Sequence, residues 1–150
     1  MTQKAANFLI LVKELAFFVV GRKNMILGTG IDIIEIERIK KAIKNKRFIE
    51  RVFTTNEIKY CQSRGAQAAA SYAARFAGKE AVLKAFGTGL IKGTLLDIEI
   101  LPDEKGCPHV FLNGFFGEEA KRLEVHEIFI SLSHAHAYAT AQVIFWRDSL

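Results

Sequence analysis

Much is missing from this sequence, and each absence narrows its chemistry. The 150 residues contain only two cysteines, Cys61 and Cys107. They form no CxxC pair and no disulfide framework, so two free thiols in the reducing cytoplasm are expected, with a single disulfide as the alternative. No uninterrupted apolar run is long enough for a membrane span. The longest candidates, Phe8 to Val12 and Leu15 to Val20, are separated by Lys13 and Glu14 and lack a small-residue cleavage site. No GxSxG, P-loop or HExxH motif occurs. His134 and His136 have no third ligand at a zinc spacing. There is no internal repeat, low-complexity tract or dividing linker.

What is present fits one globular domain. Half of the residues are hydrophobic, enough for a core, and the formal net charge is +5. A basic chain suits an acidic partner: nucleic acid, an anionic cofactor or an acidic protein. The basic residues cluster modestly from Arg38 to Arg51 and lack the aromatic interleaving of a nucleic-acid footprint. The spacing of Phe8, Leu11, Val12, Leu15, Phe18 and Val19 predicts an amphipathic helix within an N-terminal extension, residues 1–24. The main domain is then expected over residues 25–150.

The stretch from Ala66 to Gly89 organises the rest. Alanine favours helix, and Gly87 and Gly89 follow the last periodic residue, where a helix stops. Its apolar stripe, Ala69, Ala73, Phe76, Ala77 and Leu83, is interrupted by Glu80, which lies one turn before Lys84. A carboxylate beside an apolar stripe calls for compensation by Lys84, a metal or a ligand. An ordinary surface pair of Glu80 with Lys84 is the alternative.

Met25 to Ile34 reads as a strand whose alternation places Ile26, Gly28, Gly30 and Asp32 on one face. Glycines there leave room for a ligand or another backbone. Asp32 could instead cap the next helix. Gly28-Thr29-Gly30 lacks the third glycine of a dinucleotide loop. A helix is expected from Glu35 to Lys46, followed by an apolar cluster of Phe48, Ile49 and Phe53. A capping box at Thr54–Glu57 should open a helix ending near Gly65. Strands follow at Leu95 to Leu101 and His109 to Leu112, with Leu96, Ile98 and Ile100 on one face of the first. A helix is expected over Phe115 to Val125. Glu127 to Ser133 and Ala137 to Trp146 should form a hairpin around Ser133-His134-Ala135-His136.

Two carboxylates (Asp32, Glu80), a nearby lysine and a Gly-Thr-Gly stretch would suit Mg²⁺ with a phosphate substrate, because Mg²⁺ takes few protein carboxylates and completes its shell with water and phosphate. The segments GTGIDIIEIERI, FIERVFTTNE, RFAGKEAVLKAFGTG, DIEI…GCPHVFL and ISLSHAHAYATAQVI, taken together, resemble the holo-acyl-carrier-protein synthases. These are small 4′-phosphopantetheinyl transferases, and the resemblance runs from Met25 to Trp146. It implies an α+β fold with a small antiparallel sheet against one long and several short helices. It also implies transfer of phosphopantetheine from coenzyme A to a serine of apo acyl carrier protein, in support of fatty acid biosynthesis, with Mg²⁺ (or Mn²⁺) required.

By the same resemblance, Asp32 and Glu80 would bind the metal, and Glu80, or a metal-bound water held by Asp32, would help deprotonate the serine. Lys84 would neutralise the leaving phosphate, while Gly87, Thr88 and Gly89 would line the pantetheine and phosphate path. Arg75, Lys79, Ser133 and His134 would contact the nucleotide end of coenzyme A. Arg38, Arg47 and Phe48 would grip the carrier protein. A homotrimer with sites between subunits is implied, and neither a membrane nor a nucleic acid is expected as partner. Two alternatives remain: a non-catalytic basic module binding an acidic protein or nucleic acid, and a transferase serving carrier domains of polyketide or peptide synthetases.

Overall fold

The computed structural model describes residues 25–90 and 92–148, so the helix expected over residues 1–24 lies outside the described residues. Three antiparallel strands form one sheet in the order β1 (Met25–Glu35), β5 (Tyr138–Arg147), β4 (Glu127–Ala135). A separate hairpin pairs β2 (Ile98–Pro102) with β3 (Pro108–Leu112). Between sheet and hairpin runs the long helix α4 (Ala68–Phe86), after the short helices α1 (Ile36–Ala42), α2 (Lys46–Val52) and α3 (Thr55–Ser63); α5 (Gly114–Arg122) follows β3. This is the α+β arrangement that the resemblance implied.

Helix α4 is sheathed on more than one side. Ala73, Ala77, Ala81 and Val82 have essentially no exposure, and Phe86 meets Phe145 of β5 edge-on with ring centroids 4.6 Å apart. The predicted single stripe therefore understates its burial: small alanines let sheet, hairpin and α3 approach from different directions. Polar residues on this helix are consequently buried too. Lys79 and Arg75 are almost wholly enclosed.

Gly28 and Gly30 explain how close the approach is. A Cβ on Gly28 would overlap the Ala85 carbonyl, and one on Gly30 would overlap the Ala81 carbonyl. The room beside Asp32 expected for a ligand is filled by helix backbone, the other purpose a strand glycine serves.

Several boundaries differ from expectation. A register shift between Ile26 and Gly28 turns Ile26 outward, with Leu27 against the core, so the face containing Asp32 begins at Gly28. Helix α1 stops at Ala42; the cluster around Phe48 and Ile49 is itself a helix, α2, capped by the Asn45 side chain accepting from the Arg47 N–H. The capping box at Thr54 and Glu57 is present as expected. Leu95–Asp97 is a short 3₁₀ turn rather than strand, leaving Leu96 exposed while Ile98 and Ile100 are buried. The β4–β5 strands end at Ala135 and resume at Tyr138, so His136 lies in the turn, at φ 41°, and does not share a strand face with His134.

Candidate active site

Asp32 sits in β1 opposite Ala141 of β5, with its side chain 16% exposed. It caps nothing: Glu35 occupies the N-cap of α1. Because the strand lies directly on α4, Asp32 faces the helix turn that carries Glu80 and Lys84. The Lys84 ammonium crosses to the strand, donating to Asp32 Oδ1 at 2.8 Å and to the Ile31 carbonyl at 2.9 Å. The ordinary i,i+4 reading is thereby replaced: among the described residues, the ion pair of Lys84 runs to Asp32 and not to Glu80.

Glu80 is half-buried. Burial and, secondarily, the negative charge of Asp32 push its carboxyl above the usual range, against the opposing pull of Lys84. Two carboxylates close enough to repel each other, with a cation already drawn to one of them, form an oxygen-only donor set for a hard divalent ion. Among the described residues, no group of three or more His, Cys, Asp or Glu side chains could hold a metal. Two carboxylates fit Mg²⁺, which keeps water and substrate phosphate in its remaining positions, better than they fit a metal needing a full protein cage.

A cleft of about 380 Å³ opens beside this pair, lined by Glu80, Leu83, Lys84, Gly87, Gly89 and Leu90. Gly87 ends α4 at φ 72° and Gly89 follows at φ 59°, left-handed values that fold the chain back past Lys84. Thr88 is exposed between them and is absent from the cleft lining.

Arg75 and His134 share a different cleft, about 420 Å³, with Tyr60, Arg64, Gln67 and Pro108. The Arg75 guanidinium lies 4.0 Å above the Tyr60 ring and donates to the Ser71 carbonyl, while its buried Nε has no partner. Tyr60 was not singled out in the sequence; nothing in the spacing of α3 indicates that it underlies an arginine of α4. Ser133 is exposed on the outward face of the sheet opposite Thr140.

Lys79 is placed differently from its expected nucleotide contact. It has no exposed side-chain surface, and its ammonium reaches Glu57 Oε2 at 2.7 Å, the Leu95 carbonyl at 2.8 Å and the Ile98 carbonyl at 2.6 Å. All three donors are used within the framework. Glu57 completes the cluster by accepting from the Ile100 and Thr54 N–H groups. Burial pushes the Lys79 ammonium down and the Glu57 carboxyl up, and their attraction opposes both shifts.

Arg47 and Phe48 line a third cleft, about 730 Å³, together with Arg51, Phe76 and Leu95. Arg38 is exposed on α1. Both cysteines are free; burial pushes the Cys61 thiol up to about 12, which makes it inert, and Cys107 is exposed. No helix among the described residues is long and apolar enough to cross a membrane.

The chain as a whole is similar to known proteins. The holo-[acyl-carrier-protein] synthase of Ruminiclostridium cellulolyticum is 54% identical over 124 residues, which span 81% of this chain and 91% of that protein. That of Moorella thermoacetica is 50% identical over 116 residues, 77% of this chain and 90% of that protein. A crystal structure of the Bacillus anthracis holo-(acyl-carrier-protein) synthase in complex with CoA (3′,5′-ADP) superposes with a TM-score of 0.69 at 38% identity, covering 82% of this chain and 98% of that one. The family model of the 4′-phosphopantetheinyl transferase superfamily matches residues 28–143, a span holding Asp32, Glu80, Lys84 and His134, and the chain belongs to that superfamily.

Proposed function

We propose that this enzyme transfers the 4′-phosphopantetheine arm of coenzyme A to a serine of apo acyl carrier protein, releasing adenosine 3′,5′-bisphosphate, in the cytoplasm. The observation that carries this reading is the convergence of Asp32, Glu80 and Lys84 at one end of α4, beside a glycine-turned cleft, in a chain of this superfamily.

Asp32 and Glu80 would hold Mg²⁺ against the pyrophosphate of coenzyme A; the bound ion supplies charge neutralisation at the phosphates. Phosphoryl transfer depends mainly on positioning and charge stabilisation, and these residues provide both. Lys84, 52% exposed on a flexible stem, is free to follow charge onto the leaving phosphate. Glu80, within reach of the same cleft, would take the serine proton as general base. Gly87 and Gly89 set the path of the pantetheine arm. Arg75, stacked on Tyr60 with a free Nε, and His134 would bind the nucleotide phosphates.

The clefts of Arg75 and of Glu80 have no lining residue in common. A site completed by the neighbouring subunit of a homotrimer would bring one protomer's carboxylates to the other's His134. The outward sheet face supports such an assembly, because Ile31, Ile33 and Phe129 lie on it half or more exposed. Arg38, Arg47 and Phe48 would receive the acidic carrier protein, with Arg51 added to the basic rim.

The test is a mass spectrum of apo acyl carrier protein after incubation with the protein, coenzyme A and Mg²⁺, with an EDTA control. The expected result is a gain of one phosphopantetheine that EDTA abolishes, and its loss in Asp32→Ala and Glu80→Ala. No gain with a folded sample and several carrier proteins would overturn the reading.

A further inference from the structure

Lys84 stands where a cation is required. Its ammonium rests on Asp32 Oδ1 and is anchored a second time by the Ile31 carbonyl, at 2.8 and 2.9 Å. Asp32 is largely covered, so its charge needs a partner even with no metal bound. Lys84 itself is half exposed and sits in the last turn of α4, beside the cleft bounded by Gly87 and Gly89. The carboxylate that anchors it is therefore largely covered, while its own long stem reaches into solvent. Glu80 lies one helical turn before Lys84 and feels both charges.

We propose that the Lys84 ammonium is a resident counter-ion of the carboxylate pair, which a divalent metal must displace from Asp32 and which then moves to the substrate phosphate. One side chain would have two alternative partners, carboxylate or phosphate, and a ligand that favours one partner shifts that balance. Metal alone would compete with Lys84. Metal arriving with coenzyme A would not, because the phosphate offers the ammonium another partner. Metal and coenzyme A would then bind cooperatively, each raising the affinity of the other by the same factor. The inference rests on the metal-site reading above and concerns the order in which that site fills.

The test is Mn²⁺ binding to the full chain, followed by electron paramagnetic resonance and without turnover, for the wild type, Lys84→Met and Lys84→Arg. Without coenzyme A, Lys84→Met should bind Mn²⁺ about tenfold more tightly than wild type, a size typical of coupling between sites. Lys84→Arg, which keeps a cation in place, should stay near wild type. Coenzyme A should tighten Mn²⁺ binding to wild type and do so much less in Lys84→Met. Repeating the titration at about 0.5 M salt screens remote charge effects and should leave the difference standing. Equal or weaker Mn²⁺ binding by Lys84→Met would overturn the counter-ion proposal while leaving the metal site intact. No Mn²⁺ binding to any of the three proteins, with or without coenzyme A, would overturn the metal-site reading as well.

Discussion

Lys79 Nζ lies 2.7 Å from Glu57 Oε2, and neither side chain exposes any surface. The pair ties α3 to α4 and, through the carbonyls of Leu95 and Ile98 and the Ile100 N–H, ties both helices to β2. Removing one member leaves the other as an uncompensated buried charge. Lys79→Met should destabilise the protein by about 3–5 kcal/mol in urea unfolding, and Glu57→Leu combined with Lys79→Met should recover part of that loss. A Lys79→Met protein of unchanged stability but impaired coenzyme A binding would restore the direct-contact role expected from the sequence.

Gly30 separates β1 from α4 by less than the width of a methyl group. Gly30→Ala should force strand and helix apart, costing about 1–3 kcal/mol in the manner of an overfilled core. It should also lower activity more than stability alone accounts for, because Asp32 would move away from Glu80. Chemical denaturation and phosphopantetheine transfer, measured on the same sample, separate the two effects.

The raised proton affinity of Glu80 has a definite sign in a stability profile. Between the carboxyl's ordinary value of 4.5 and its higher folded value, the native state binds more protons than the unfolded chain. Stability should therefore fall as pH rises through that window. Glu80→Gln should flatten this part of the curve and melt higher than wild type above it, while losing transfer activity. Melting temperatures from pH 4.5 to 8 for both proteins decide this; coincident profiles would show that burial does not perturb Glu80.

If neighbouring subunits share each site, inactive variants should rescue one another. Asp32→Ala and His134→Ala, each impaired alone, should regain up to about a quarter of wild-type sites when unfolded together and refolded as mixed trimers. Mixtures that stay as inactive as their components would place the whole site within one chain.

Arg38 and Arg47 are exposed, and under the proposed function they would attract an acidic carrier protein. Arg47→Glu should raise KM for the carrier protein, steepen with falling salt and leave kcat and KM for coenzyme A nearly unchanged, as rim charges act mainly on encounter. A change confined to coenzyme A would move Arg47 to the other substrate.

Asp32 and Glu80 stood out in the sequence because their surroundings are local: Asp32 interrupts a strand and Glu80 interrupts an apolar stripe. The capping box was visible for the same reason, since its two residues lie three apart. The second role of Glu57 was not, because its partners Lys79 and Ile100 are distant in the chain and no periodicity links them. Arg75 was singled out through the resemblance, whereas the Tyr60 ring beneath it was not, since stacking depends on how α3 lies against α4. The glycines of β1 stand out in the sequence, but whether ligand or backbone fills their space is a tertiary question. The break between α1 and α2 was hidden because Asn45 resembles the surrounding polar residues until its cap forms.

The contact of Gly28 and Gly30 with the carbonyls of α4 has a consequence for variation in this enzyme. With no side chain between strand and helix, the spacing of Asp32 from Glu80 is set by main chain against main chain. The reach from Asp32 to Glu80 thus depends on two positions at which even one added methyl would press on the helix backbone.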